Sequence, residues 1–474
     1  MIGLAACGAG GGPEQPATSP EGGARLTGSP GEVKLMILDP GHFHAALVQK
    51  SMYPQVDPRV HVFAPDGPDV ADHLARIDGF NSRAESPTAW VQEVYTGDDF
   101  LEKMLSERPG NVVVISGNNA RKAEYIRRSV AAGLNVLADK PMAIQPDDFE
   151  VLKEAYRIAG EKGVLLDDIM TERYEITSIL QKRLSQVPEL FGELVAGSPE
   201  DPAVSKQSVH HFSKIVSGRP LKRPAWAFDV RQQGEGIVDV TTHLVDLVHW
   251  QCFPGQTVEL GTDVEVLSGR RWATELTPAQ FAHVTGLSSY PEYLAGDVGA
   301  DGVLAVYANG EIVYRVKGIH AKVSVEWRYE APEGTGDTHF SIMRGSRAHL
   351  SVRQGEAEGY TPTLYVEPAE GENAATVEAP LREAVTALSQ EYAGLDLAPA
   401  STGWSIVIPD ELRVGHEAHF AQVTEAYFRY LTEGRVPPHE VQNALTKYAI
   451  TTRGLELART LLSASLLRLG STER

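Results

Sequence analysis

The sequence predicts an α/β protein with an N-terminal doubly wound parallel sheet and a C-terminal α+β domain that carries a large open, mostly antiparallel sheet. In the first third of the chain, apolar runs of strand length alternate with amphipathic stretches of helix length, which is typical of parallel strands joined by helices. The apolar runs span 33–38, 60–64, 111–116, 134–138 and 163–166. Farther along, apolar and polar residues alternate over 323–329, as in a sheet with one covered face.

The first predicted strand ends in a turn that contains one glycine. It runs into Asp39-Pro40-Gly41-His42-Phe43-His44, and a helical pattern follows over 45–50. Strand, glycine turn and helix in this order can hold a dinucleotide pyrophosphate on backbone N–H groups. Gly41 occupies the second glycine position of the G-x-G-x-x-G fingerprint, but Asp39 and His44 replace the first and third glycines, so the fingerprint is weak.

The second predicted strand ends at an acidic turn, Pro65-Asp66-Gly67. Asp66 lies within the range expected for the acid that binds the 2′-hydroxyl of an adenosine ribose. A carboxylate there would repel a 2′-phosphate, which favours NAD over NADP. An ordinary Pro-Asp-Gly turn accounts for the same residues equally well.

Helical patterns fill the gaps between the later strands. Asn118 and Asn119 can cap a helix over 121–132, which Gly133 ends. Pro146 opens the next helix and is followed by two acids. The apolar stripe of that helix consists of Phe149, Leu152, Ala155, Tyr156 and Ala159. In the second domain, the composition of 354–403 is typical of a looped insertion, and helices return over 416–431 and 440–469.

Two separated motifs carry the chemistry. The strand at 134–138 ends in Asp139-Lys140-Pro141, which puts an ammonium at a strand end. About a hundred residues later, Asp239, His243 and Asp246 recur at helical spacing and share one helix face. An ammonium and an imidazole brought together can pass a proton to and from a hydroxyl, which is half of what an alcohol dehydrogenase needs.

These motifs resemble those of the glucose–fructose oxidoreductase / inositol dehydrogenase (Gfo/Idh/MocA) family. Asp139-Lys140-Pro141 matches the family's Glu-Lys-Pro with Asp in place of Glu, and 234–246 matches its glycine-rich Asp-x-x-x-His stretch. The turn 116–119 is similar to the family's Thr-Pro-Asn turn, and 171–174 is similar to the segment that opens its second domain. The resemblance covers 33–250 well and the remainder in outline. It implies a Rossmann domain over 33–168 and a substrate-binding α/β domain over 169–474.

The resemblance implies a catalytic group and a cofactor. Lys140 would bind the reacting hydroxyl, His243 would take its proton with a pKa near neutral pH, and Asp239 would bind a neighbouring hydroxyl or orient His243. The implied reaction is hydride transfer from a secondary hydroxyl of a sugar, glycoside or polyol to NAD(P), with NADP less expected, and we expect the cofactor to be tightly bound. The implied cofactor-binding residues are Asp39, Gly41, His42, Phe43, His44, Asp66, Asn118, Asn119, Asp139 and Lys140.

A basic, aromatic segment precedes the second motif. Trp226 could stack on a pyranose ring, and His210, His211 and Lys214 could donate to its hydroxyls; a surface loop that balances acidic surroundings is an equally good interpretation. The full candidate substrate-binding set is Lys140, Glu172, Arg173, His210, His211, Lys214, Trp226, Asp239 and His243. His42-Phe43-His44 and His210-His211 lack the Cys or carboxylate spacing of zinc motifs, so no metal is expected.

The charged-residue content and the N-terminal residues indicate which partners the protein binds and where in the cell it is located. The 63 acidic and 43 basic side chains of the 474 residues argue against nucleic-acid binding. Leu4-Ala5-Ala6-Cys7 resembles a bacterial lipobox, and the Gly-, Pro- and Ser-rich residues behind it make 1–32 a predicted tether. We therefore expect Cys7 to be lipidated and the protein to be a periplasmic or cell-surface lipoprotein, a low-complexity cytoplasmic N-terminus being the alternative. The family resemblance also implies a homo-oligomer.

Two other functions fit the same motifs. The first is a glycosidase or lyase that uses NAD transiently, with no net redox change. The second is a sugar-binding lipoprotein whose altered glycine turn no longer holds a dinucleotide. Outside the cytoplasm free NAD is scarce, so an exported enzyme would have to carry its cofactor already bound and regenerate it in place.

Overall fold

The first sheet is a six-stranded parallel sheet of the doubly wound type. The computed structural model describes residues 26–216 and 219–470, and within them the strand order is β3-β2-β1-β4-β5-β6. The strands are β1 (Leu35–Leu38), β2 (Arg59–Ala64), β3 (Val91–Thr96), β4 (Val112–Ile115), β5 (Asn135–Asp139) and β6 (Leu166–Ile169). The order reverses between β1 and β4, where such sheets open a crevice for a ligand. The predicted doubly wound sheet is confirmed.

Helices cover both faces of this sheet. They are α1 (His44–Leu47), α2 (Pro68–Ser82), α3 (Phe100–Glu107), α4 (Lys122–Ala131) and α5 (Pro146–Lys162). The predicted stripe of α5, which includes Phe149 and Leu152, is buried. The sequence placed a strand at 163–166, but Gly163 ends α5 in a left-handed conformation and β6 begins at Leu166. Asp167 and Asp168 had hidden β6, since acids are rare in a buried strand.

The second sheet is open and mostly antiparallel, as predicted. Among the described residues it has nine strands in the order β10-β11-β12-β7-β13-β14-β15-β17-β16, and only the β12–β7 pair is parallel. The strands from 204 onward are β7 (Val204–Ser213), β8 (Ile215–Val216), β9 (Arg219–Pro220), β10 (Val264–Leu276), β11 (Leu304–Val316), β12 (Ile319–Glu330), β13 (Thr338–Arg344), β14 (Ala348–Arg353), β15 (Thr363–Pro368), β16 (Asp396–Ala400) and β17 (Gly403–Val407). Strands β8 and β9 form a separate two-stranded hairpin.

Seven helices of this half are described. They are α6 (Ile176–Ser185), α7 (Pro188–Phe191), α8 (Thr241–Cys252), α9 (Pro278–Thr285), α10 (Ala374–Leu388), α11 (His416–Glu433) and α12 (Pro438–Gly470). The expectation of a looped insertion over 354–403 was wrong, because α10 buries Val377, Leu381 and Val385 in the core. Their four-residue spacing was masked by the Ala, Glu and Pro around them. Helix α12 packs against α5, α8 and β10 and so joins the two halves.

A buried ion network fixes α8 beside the first sheet. Arg173 donates to both carboxylate oxygens of Asp246 at 2.6 and 2.7 Å, and to Glu440 at 2.9 Å. Lys447 of α12 bridges Asp246 at 3.2 Å to Asp168 of β6 at 2.8 Å. Asp246 therefore serves the fold, and the network sets where α8 presents its other face. No helix in the described ranges combines the length and hydropathy that a bilayer-spanning segment requires. The predicted lipobox with Cys7 lies outside the described residues.

Candidate active site

A large cavity lies where the two sheets meet. Its volume is about 730 Å³, which is within the range of small-molecule and cofactor sites. Its lining includes the turn after β1, the end of β5, the start of α8 and the face of the second sheet that carries Lys206 and Trp327. The cavity thus opens at the carboxyl edge of the parallel strands, where the sequence predicted a site.

Lys140 and Asp239 form an ion pair in this cavity. Lys140 follows β5, Asp239 precedes α8, and the Lys140 Nζ donates to Asp239 Oδ1 at 2.7 Å. Their side chains are 13% and 8% exposed, and Gln233 donates to the other Asp239 oxygen at 3.0 Å. Burial acts to lower the pKa of Lys140, but the carboxylates of Asp239 and Asp139 outweigh it and raise that pKa. The site therefore contains a cationic donor held in place by a carboxylate.

His243 lies one turn along α8 from Asp239. The imidazole lines the cavity and is buried, and its Nδ1 has no hydrogen-bond partner in the described part of the chain. Burial, with the positive charge of Lys140, lowers the pKa of His243 to about 3. The expectation of a pKa near neutral was wrong, because the sequence does not show how completely α8 is buried. The imidazole is therefore uncharged at neutral pH.

The turn after β1 retains Gly41 and has Asp39 at the position of the first fingerprint glycine. Asp39 has a φ of 50°, the left-handed conformation that usually favours glycine, and Tyr125 donates to its carboxylate at 3.1 Å. A Cβ at Gly117 would lie 2.1 Å from the Asp39 carbonyl oxygen, so the turns after β1 and β4 touch. The predicted helix over 45–50 is shorter than expected, since α1 spans only His44–Leu47.

Asp139 gathers the two histidines of this turn. Its Oδ2 lies 3.2 Å from His42 Nδ1 and 2.9 Å from His44 Nδ1, and Ser116 donates to it at 2.9 Å. Lys122 donates to the Asp139 main-chain carbonyl at 2.9 Å. Burial lowers the pKa of His44 well below its usual value. His42, Phe43, His44, Gly41 and Asp139 all line the cavity.

Of the remaining predicted cofactor residues, some line the cavity and others do not. Asn119 lines the cavity, donates to the Gln233 carbonyl at 2.7 Å, and keeps a buried Oδ1 without a hydrogen-bond partner among the described residues. Asn118 caps Ala120 at 3.0 Å and donates to Gln232. Asp66 is exposed beyond the end of β2, outside the cavity lining.

The predicted substrate-binding residues likewise lie partly in the cavity lining and partly outside it. His210, Lys214 and Trp226 line the cavity, whereas His211 is buried behind it. Arg173 is not brought to the cavity, because the ion network with Asp246 and Glu440 occupies its guanidinium.

Asp337, which sequence reasoning missed, holds the basic segment together. It pairs with His210 at 3.0 Å, with His211 at 3.4 Å and with Lys214. His210 stacks on Trp327 with ring centroids 4.9 Å apart. Trp226 is fixed by a 2.9 Å hydrogen bond from its Nε1 to Asp69. This part of the wall is therefore aromatic, and its basic side chains are paired with a carboxylate.

Glu172 lies near four histidines, of which His339, His416 and His419 were not singled out from the sequence. Burial acts to raise its pKa, but the imidazoles of His339, His243, His416 and His419 lower that pKa to about 2. The Nδ1 of His416 lies 4.0 Å from Glu172 Oε1. His416 and His419 stand one turn apart at the start of α11, and this spacing was the available signal.

Comparisons with known proteins agree with this architecture. The family model "Putative oxidoreductase C terminal domain" matches residues 180–459. A crystal structure of a "putative oxidoreductase" from Parabacteroides merdae is 54% identical with a TM-score of 0.90, covering 92% of this chain and all of that one. A levoglucosan dehydrogenase in complex with NADH is 14% identical and shares the fold over 90% of this chain and 97% of that one, with a TM-score of 0.54.

Two curated relatives are similar to a shorter part of the chain. The oxidoreductase YhhX of Escherichia coli is 25% identical over 177 residues, which are 34% of this chain and 49% of that protein. The scyllo-inositol 2-dehydrogenase (NADP(+)) IolW of Bacillus subtilis is 26% identical over 145 residues, or 30% of this chain and 37% of that protein. The match thus spans about half the length of these relatives or less. The chain belongs to the family that the C-terminal model defines, and the resemblance to the Gfo/Idh/MocA oxidoreductases is confirmed.

Proposed function

We propose that this member of the Gfo/Idh/MocA oxidoreductases oxidises a secondary hydroxyl of a sugar, glycoside or polyol by hydride transfer to a tightly bound nicotinamide dinucleotide. The observation that carries the proposal is the meeting of Lys140, Asp239 and His243 in one cavity at the switch point of the parallel sheet. The names of the relatives, an inositol dehydrogenase and a levoglucosan dehydrogenase, support this substrate class.

The crevice between β1 and β4 fits a dinucleotide. The turns after these strands approach closely, and Asn119 offers a buried oxygen that lacks a partner among the described residues. Residues 39–44, Asn119 and Lys140 would hold the cofactor, which supplies the hydride acceptor when bound. Asp66, Asp69 and Asp72 follow β2 and would disfavour the 2′-phosphate of NADP. We therefore propose NAD as the cofactor.

The side chains divide the proton chemistry between them. The Lys140 ammonium donates a hydrogen bond to the substrate oxygen and stabilises the charge that develops there. His243, uncharged at neutral pH, accepts the hydroxyl proton through its imidazole as the hydride departs. Asp239 keeps Lys140 cationic and in position. The aromatic wall that includes Trp226 offers an apolar surface for the sugar ring.

Chemical release of the cofactor tests the proposal directly. The purified chain is denatured and the released small molecules are analysed by mass spectrometry. We expect NAD or NADH in stoichiometric amount, and turnover of a polyol or sugar panel measured by nicotinamide absorbance. Nothing released, together with no binding of added NAD or NADP by calorimetry, would overturn the proposal in favour of a sugar-binding protein.

A second candidate is a glycosidase or lyase with transient oxidation. Glu172 with His339, His416 and His419 provides more acid–base groups than a single oxidation needs. Such groups can remove the acidified C–H proton or protonate a leaving aglycone. Release of aglycone without net NADH would favour this activity, whereas stoichiometric NADH favours the dehydrogenase.

The location of the protein is also a proposal, supported by the sequence of 1–32 alone. We propose that Cys7 is lipidated and tethers the enzyme outside the cytoplasm. Labelling of cells with an alkyne fatty acid should mark the intact chain but not the Cys7→Ser variant. Equal labelling of both would overturn the assignment. The homo-oligomer is tested by light scattering on the purified chain, and a monomer mass would contradict it.

A further inference from the structure

Two imidazoles and one carboxylate converge beneath the turn after β1. His42 Nδ1 and His44 Nδ1 both point to Asp139 Oδ2, at 3.2 and 2.9 Å, and one ligand atom from each of the three residues lies within 4.8 Å of the others. Ligands held about 2.1 Å from a tetrahedral ion are about 3.4 Å apart. The two nitrogen–oxygen separations already fall below that value, and the widest separation in the trio would have to shorten by about 1 Å at most on each side for all three to bind one ion.

A second observation shows that this carboxylate is not satisfied by the protein alone. Asp139 is 3% exposed, and its Oδ1 has no hydrogen-bond partner in the described ranges. A buried carboxylate oxygen without a partner is costly, and a cation is the usual remedy. The buried ammonium of Lys122 donates to the Asp139 main-chain carbonyl and not to its carboxylate.

The surroundings match the outer shell of a metal site. Ligating imidazoles donate their second ring N–H to a partner, and ligating carboxylates receive hydrogen bonds. The His44 Nε2 lies 3.4 Å from the Nε2 of His416, which can accept that N–H. Ser116 donates to Asp139 Oδ2 at 2.9 Å.

We propose that His42, His44 and Asp139 bind one transition-metal ion. Two imidazoles and one carboxylate suit zinc and iron(II), and this set leaves coordination positions open. Since all three residues line the cavity, the ion has an entry path and its open positions are accessible to a small ligand. The proposal does not rest on the dehydrogenase assignment, because metal binding is measured without turnover.

The sequence did not predict this site because the carboxylate is distant in the chain. His42-Phe43-His44 alone lacks a third ligand, and Asp139 is 97 residues from His42. Only the parallel pairing of β1, β4 and β5 brings the turn after β1 over the end of β5.

Cobalt(II) is the probe for this site. The purified full-length chain is stripped with a chelator, dialysed and titrated with Co²⁺ in the presence and absence of NAD. We expect one equivalent to bind with visible d–d absorption, and competition by Zn²⁺ to remove the signal. His42→Gln and His44→Gln should each weaken Co²⁺ binding at least tenfold. Gln can still donate a hydrogen bond to Asp139, so these variants preserve the fold if the cluster is only hydrogen-bonded.

His61→Ala is the matched control. His61 also contacts a carboxylate, Glu93, at 3.2 Å, but among the residues that the structure describes no second imidazole joins that pair. The control should bind Co²⁺ like the parent chain. Absence of d–d absorption at one equivalent, or equal binding by the two Gln variants and the parent, would overturn the proposal and leave a hydrogen-bonded His–Asp–His cluster only. If a Gln variant fails to fold, the stoichiometry and spectrum of the parent chain decide.

Discussion

The Lys140–Asp239 ion pair is the contact whose removal tests the site most directly. We consider Asp239→Asn, which keeps the size of the side chain and removes its charge. The pair is 2.7 Å long with side chains only 13% and 8% exposed. Breaking a buried pair by removing one partner costs about 3–5 kcal/mol, because the other charge stays buried without compensation. We expect Asp239→Asn to lower the free energy of unfolding by about that amount.

A double-mutant cycle separates pairing from packing. Lys140→Met alone leaves the Asp239 carboxylate with Gln233 as its remaining donor, so it should also destabilise the chain. The double variant buries no unpaired charge and should be less destabilised than the sum of the two single changes, by at least 1 kcal/mol. Urea unfolding followed by tryptophan fluorescence measures all four chains. Turnover should be lost in the two variants that lack Lys140, since restored stability does not restore the donor to the substrate oxygen, and it should fall in Asp239→Asn, which no longer holds Lys140 in position.

Additive effects within about 0.5 kcal/mol would refute this reasoning, because they would show that the two charges do not interact. Retention of turnover by Lys140→Met would refute the catalytic role of Lys140. The ion pair of the parent chain would then be a structural contact only. As a matched control, Arg328 and Glu326 form an exposed pair on β12 with side chains 59% and 35% exposed. The corresponding cycle there should give less than about 1 kcal/mol.

Three further predictions follow from the same geometry. His243→Asn should lower kcat by about 10²–10⁴-fold with little change in unfolding, measured by steady-state kinetics and calorimetry; unchanged kcat would remove His243 from the chemistry. Arg173→Met should cost about 3–5 kcal/mol in urea unfolding but leave KM of the remaining folded enzyme unchanged, because its guanidinium serves Asp246 and Glu440; a raised KM with normal stability would restore the substrate-binding role. Burial lowers the pKa of His249 to about 4, so between about pH 6.5 and pH 4 the unfolded chain binds a proton at His249 that the folded chain does not bind. Stability should therefore fall as pH drops from about 6.5 towards 4, by roughly 1.4 kcal/mol per pH unit for this group, and His249→Phe should flatten the profile; an identical profile in the variant would contradict the assignment.

The local pattern of the chain was sufficient to predict the doubly wound sheet and the position of Lys140 at its edge. A strand that ends in Asp139-Lys140-Pro141 must present Lys140 at the carboxyl edge, since parallel strands all end there. Helical spacing likewise places Asp239 and His243 on one face. The open sheet could be predicted wherever apolar and polar residues alternate, as over 323–329. Helix α10 could not be predicted, because Ala and Glu interrupt the pattern of its buried residues.

The sequence by itself determined which residues could do chemistry, because residue type and local spacing are written in it. Tertiary structure alone decided which of them meet and in what charge state. It turned Arg173 to the ion network, placed Asp337 among the basic residues, and buried His243 so deeply that its pKa falls to about 3. It also brought Asp139 beneath His42 and His44. Contacts between distant residues and the loss of water around a side chain depend on how whole elements pack, and neither is encoded in a local stretch of sequence.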